Sequence, residues 1–327
     1  MNSKAIKRML RSKEMMLVLI IVAIVLLFYI INPNYLSGDS LRGTMQSMSI
    51  TGIMAVGISC LIIGGGIDLS MSFGCLFAGV ICASMMKMGM PWGLAVVITI
   101  FTGGFIGATN AFLVAKLGMM PFIATIAVSN VLHGLNLVIT NTQNIPVPNQ
   151  SFWWGSSILL GIFPVPFVIM VVLLLIYGII LKKTRFGRNI YLVGGNQYAA
   201  RLAGLNPVRI RSILFVNNGI MAAIAGIVLT SRMHSAAPSS LSDAQMSAIT
   251  AAVLGGIAFG GGAGGMGGCF IGILLLNFFN TGLNMLALQT YWTTIASGVL
   301  LLIALLVDFL NSRARAKQLN AKVVEKR

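Results

Sequence analysis

Runs of about 17–25 apolar residues follow one another along most of this chain, and they constrain its fold more than any other feature. A backbone in lipid has no water to bond. Each run must therefore satisfy its own N–H and C=O groups, which a helix does within one segment. The expected fold is an all-α polytopic membrane protein of about ten transmembrane helices. Composition agrees: the chain is 57% hydrophobic and 9% charged, where a soluble domain carries about 25% charged residues. Nothing is left over for a separate soluble domain, so residues 1–327 read as a single transmembrane domain.

The expected spans are Met15–Ile31, Leu41–Gly64, Leu69–Met86, Trp92–Ala115, Pro121–Thr140, Phe163–Leu181, Ile213–Thr230, Ala244–Phe259, Cys269–Leu286 and Tyr291–Leu310. No small-x-small cleavage site follows the first, so an uncleaved span is expected there. The loop 141–161 holds Trp153 and Trp154, which suit a membrane–water boundary. A re-entrant segment in place of one crossing is compatible with the pattern.

The net charge of +16 is concentrated. Residues 1–13 hold five bases, 182–211 seven and 313–327 six, together 18 of the 22 Lys and Arg. Bases beside span ends mark the cytoplasmic side. Both termini and the central segment are therefore expected in the cytoplasm, and ten crossings agree with that parity. Nucleic acid is not an expected partner.

No Walker A sequence occurs, so the chain is not expected to hydrolyse ATP, and no nucleophile–base pattern suggests another enzyme. Cys60, Cys75, Cys82 and Cys269 lie in apolar surroundings and show no metal spacing with His. They read as small hydrophobes, and no metal site is expected.

Several polar residues interrupt the spans. Asp68 is the sole acid between Asp39 and Asp243 and stands in a Gly-rich break with Ser70. It either caps the helix that follows or meets substrate or a moving helix. Asn130, His133 and Asn136 recur every three residues and share a helix face. They either line a sugar pathway or bond a neighbouring helix. Asn277, Asn280 and Asn284 offer the same choice. Gly64–Gly66 and Gly260–Gly262 each follow an apolar run, an echo that marks either a transport pathway or close helix packing.

In the central segment, Gly194-Gly195 allows a turn, Asn196 is expected to cap a short helix over Gln197–Ala203, and Gly204 with Asn206-Pro207 to stop it. With Ala199, Ala200 and Ala203 it is small-sided, and about two turns are marginal alone. It therefore needs a partner surface, unless the segment serves topology only.

GGGIDLS (64–70), FIAT (122–125), GRNIYLVGGNQYAARLAGLN (187–206), AAVLGG (251–256) and TGLNML (281–286) resemble the permease subunits of bacterial ABC importers for monosaccharides, of the ribose type. The likeness covers nearly the whole chain in order. It departs at Met71 and Ser72 after the first Gly run, at Ala263 after the second, and at Ser247. The resemblance implies an inner-membrane permease dimer, with itself or a paralogue, and a cytoplasmic ATPase that holds ATP and Mg2+. It also implies a periplasmic or lipid-anchored sugar-binding protein. It makes Gly194, Gly195, Asn196, Ala199, Ala200, Arg201, Leu202 and Gly204 the element seated on the ATPase, and it leaves this chain without a cofactor. The path or gate is expected at Asp68, Ser70, Asn130, His133, Asn136, Asn280 and Asn284. The alternative is an ion-coupled secondary transporter of a small polar solute, with Asp68 and His133 as coupling candidates.

Overall fold

A computed structural model describes residues 13–241 and 243–286, and scattered positions between 292 and 306. The expected tenth span lies mostly outside the described residues, as do nearly all of the first basic cluster and the whole of the last.

The helices are α1 (Lys13–Ile31), α2 (Gly38–Ile63), α3 (Met71–Lys87), α4 (Trp92–Ala111), α5 (Pro121–Thr140), α6 (Val165–Lys183), α7 (Arg185–Gly195), α8 (Gln197–Leu202), α9 (Pro207–Met233), α10 (Ala244–Leu254) and α11 (Met266–Met285). A π-turn, Phe112–Lys116, extends α4. Among the described residues six helices are long and apolar enough to cross a membrane: α2, α4 with its π-turn, α5, α6, α9 and α11. The all-α polytopic fold stands.

Two helices form the centre. The apolar window of α2 is 83% buried and that of α9 67%, against 22% for α6 and 28% for α5. Lipid offers no hydrophobic drive between helices, so close packing needs small residues. α9 supplies them: a Cβ on Gly219 would meet the Gly107 nitrogen of α4 at 2.8 Å, and one on Gly226 the Gly79 nitrogen of α3 at 3.1 Å. The outer helices α4, α5 and α6 keep Phe101, Phe105, Val131, Val138 and Leu175 exposed on their far faces, as a lipid-facing surface would.

At the end of the bundle away from α7 and α8, the 141–161 loop is folded. Ile145–Pro146 pairs antiparallel with Ser235–Ala236, and Ile158–Leu159 with Phe163–Pro164. The Gly155 N–H donates to Ser231 Oγ at 2.8 Å, and Trp153 stacks on His234 with centroids 4.1 Å apart.

Three expectations are corrected. α9 begins at Pro207, six residues before the expected span, because Asn206 accepts from Arg209 N at 3.1 Å and Pro207 suits the first turn. The stop signal of one helix is the start signal of the next. The eighth segment, expected over Ala244–Phe259, ends at Leu254. Eleven residues at about 1.5 Å each fall well short of a bilayer's ~30 Å core. Gly194-Gly195 does not turn: it is the last turn of α7.

Candidate functional site

Three Gly-rich segments far apart in sequence meet at one point. α2 ends at Ile63, and Gly65 reverses the chain at φ +75°. That leaves the Ile63 carbonyl without a partner in its own helix. The Gly262 N–H, from the loop between α10 and α11, donates to it at 2.8 Å. Gly194, at the end of α7, fills the remaining side. A Cβ there would overlap the Ile63 oxygen and lie 2.8 Å from Gly262 N. Gly261 closes the group, since a Cβ on it would sit 2.8 Å from Gly194 O and 3.2 Å from Gly65 Cα. The Tyr191 hydroxyl of α7 donates to Gly264 O at 2.8 Å. The two Gly breaks and the central segment are thus one backbone joint. The value of Gly194 lies in close approach, where the sequence suggests a turn.

From this joint the chain passes into α8. Asn196 caps it, accepting from Ala199 N at 3.0 Å, and Gly204 at φ +79° ends it. The faces of α8 differ from expectation. Ala200 is 3% exposed and packs into the protein's own core. Tyr198 and Leu202, one turn apart, are each 74% exposed. Ala199, Arg201 and Asn196 are exposed beside them. The free face of α8 is an aromatic–aliphatic pair flanked by a cation, and Ala200 points the other way. Tyr198 is absent from the expected set because attention to small residues hides a large one between them.

Just beyond the first Gly break, Asp68 is buried at 1% exposure. Its Oδ1 accepts from Ser70 N at 2.8 Å and Ser70 Oγ at 2.7 Å. Its Oδ2 accepts from Asn110 Nδ2 of α4 at 3.1 Å and Asn218 Nδ2 of α9 at 2.9 Å. Asn110 Nδ2 also lies 2.8 Å from Ser70 Oγ. Leu69 N donates to Thr125 Oγ1 of α5. Asp68 therefore holds the N–H and hydroxyl of Ser70, the residue before α3, caps none of the N–H groups of α3 itself, and ties the start of α3 to α4 and α9. Four donors surround it, and no cation pairs with it among the described residues. Sequence spacing does not reveal Asn110 or Asn218. The available signal is an amide inside an apolar span, which has to face protein or water.

The other candidates sit apart. On α5, Asn136 is buried and donates to Phe73 O of α3 at 3.4 Å; His133 is half-buried and stacks on Phe73 at 4.3 Å; Asn130 is exposed. From Asn130 to Asn136 the stripe turns from the surface to the interior. On α11, Asn277 bonds its own helix at Ile273 O, Asn280 is half-buried and Asn284 exposed. α5 packs on α3 and α4, whereas α11 packs on α1, α2, α6 and α10, so the two stripes have different neighbours. Among the described residues no group of three His, Cys, Asp or Glu could hold a metal.

Residues 40–305 match the family described as branched-chain amino acid transport system / permease component. The ribose import permease of Bacillus subtilis (strain 168) is 35% identical over 288 residues, covering 87% of this chain and 89% of that one. That of Escherichia coli (strain K12) is 35% identical over 308 residues, covering 92% and 94%. The L-arabinose transport system permease of Escherichia coli (strain K12) is 32% identical over 284 residues, covering 86% of each. No solved structure matches.

Proposed function

Because the chain belongs to the branched-chain amino acid transport system / permease component family, we propose that it is the permease subunit of a binding-protein-dependent ABC importer for a ribose-like monosaccharide. The sugar reading rests on relatives named for ribose and L-arabinose that cover about nine-tenths of the chain. The chain is a multi-pass inner-membrane protein and is not itself an enzyme. A separate ATPase hydrolyses ATP with Mg2+, and a binding protein delivers sugar. The finer assembly is a dimer of permease chains with both termini in the cytoplasm.

The observation that carries the mechanism is the joint of Ile63, Gly65, Gly194, Gly261 and Gly262. It supports a direct mechanical link. α8 sits on the ATPase through Tyr198, Arg201 and Leu202. α7 carries its displacement to the breaks after α2 and before α11, and α3 and α11 shift around a sugar-sized path. Asn130 and His133 on α5, and Asn280 and Asn284 on α11, are two separate candidate walls for that path, where a water-filled cavity in the dimer relieves the cost of polar groups facing lipid.

The test is uptake into proteoliposomes holding this chain, its ATPase and the binding protein. Ribose accumulation that requires ATP inside the ATPase's compartment is expected. Accumulation driven by an ion gradient in the absence of ATP would establish the secondary-transporter alternative instead.

A further inference from the structure

The outer faces of α6 and α11 leave a cleft of about 400 Å3 between them, open to the surroundings. Leu175, Gly178, Ile179 and Phe270 line its length, and Lys182 and Lys183 stand at one end. Leu175 and Ile179 are 62% and 60% exposed, on a helix whose apolar window is only 22% buried. This wall belongs in hydrocarbon. Both lysines are exposed, and among the described residues no carboxylate pairs with either. α11 begins at the same end, with Gly267 lining the cleft, so the positive pole of that helix adds to the lysine charge.

We propose that this cleft binds one anionic phospholipid, with an acyl chain along the apolar wall and the phosphate of the headgroup on Lys182 and Lys183. The charge order fits this occupant: apolar through the bilayer, doubly cationic where α6 leaves it. Long basic side chains at a span end reach the headgroup layer naturally. A second copy docked here across a two-fold axis would set lysines against lysines, which disfavours that occupant.

The test is native mass spectrometry of the full chain released from nanodiscs of equal phosphatidylglycerol and phosphatidylcholine, following the most tightly retained lipid. With each lysine near the surface contributing as such residues ordinarily do, retention of phosphatidylglycerol is expected to exceed that of phosphatidylcholine by roughly thirtyfold. Lys182→Gln with Lys183→Gln brings the ratio near one, and the paired Arg replacements preserve it. Gly178→Phe fills the cleft from its floor, where a Cβ would be 3.7 Å from Met266 Cβ, and releases both lipids. If that variant fails to fold, the surface Gln pair still decides. Equal retention of the two lipids by the wild type overturns the proposal, and so does an undiminished preference in the Gln pair. Self-association of the chain that Gly178→Phe abolishes overturns it too, by assigning the cleft to a second copy.

Discussion

Four donors from three segments converge on the Asp68 carboxylate, and the chain spends its lone mid-chain acid there. Asp68→Ala strips an acceptor from N–H and O–H groups that are themselves buried. A buried group left unsatisfied costs about 1–3 kcal/mol, so thermal unfolding in detergent should show a loss of about 3 kcal/mol or more. Asp68→Asn should be milder, at about 1 kcal/mol, because the Oδ1 atoms of Asn110 and Asn218 have no partner. Either amide can rotate to accept from the new side chain. Transport per folded molecule should survive in Asp68→Asn; a normally folded Asp68→Asn that transports nothing would replace the tie with a gating role. At this scale the sequence is half legible. A lone acid in a Gly-rich break stands out. Its partners lie 42 and 150 residues away and share no periodicity with other polar residues, so no local pattern exposes them.

Helices are the most legible element, because lipid forces each apolar run to be one. Their ends are less so. The start of α9 and the stop of α10 depend on how loops pack, and Asn206-Pro207 reads equally well as a stop and as a start. Gly194-Gly195 shows the limit sharply. Helix propensity says that either glycine improves as alanine, by about 1 kcal/mol, and the joint says otherwise for one of them. Gly195→Ala places a Cβ 3.9 Å from Gly262 Cα, an ordinary contact, while Gly194→Ala drives one into Ile63 O. ATP-driven uptake at matched membrane levels should therefore be near normal in Gly195→Ala and at least tenfold lower in Gly194→Ala, as when about 1.4 kcal/mol is lost from a coupled step. Equal uptake by the two would remove the joint from the mechanism. On α8, Tyr198→Ala with Leu202→Glu, or Arg201→Glu alone, alters the exposed face and leaves Ala200 packed. Both should insert and fold, while the ATPase co-purifies poorly. Ala200→Trp, by contrast, should lower the permease's own thermal stability, since Ala200 lies in its core.

For the molecule as a whole, the central basic segment, 182–211, and the loop 141–161 define opposite ends. Single cysteines at Asn196 and at Ser157, both exposed, in a background without the four native cysteines, should label from opposite faces of the membrane, with position 196 reached from the cytoplasm. Labelling of position 196 from outside inverts the topology and, with it, the seat of the ATPase. The joint near that end has a further consequence. It is built from main chain: the Ile63 carbonyl, the Gly262 amide and glycines without side chains. Main-chain groups are the same in every protein, so they carry no information that drift in neighbouring side chains can erase. On the function proposed above, the amides of the path can be exchanged one by one while this joint stays as it was. On that reading the cargo and the drive train are separate inheritances, and a permease for one sugar is a short mutational walk from a permease for another.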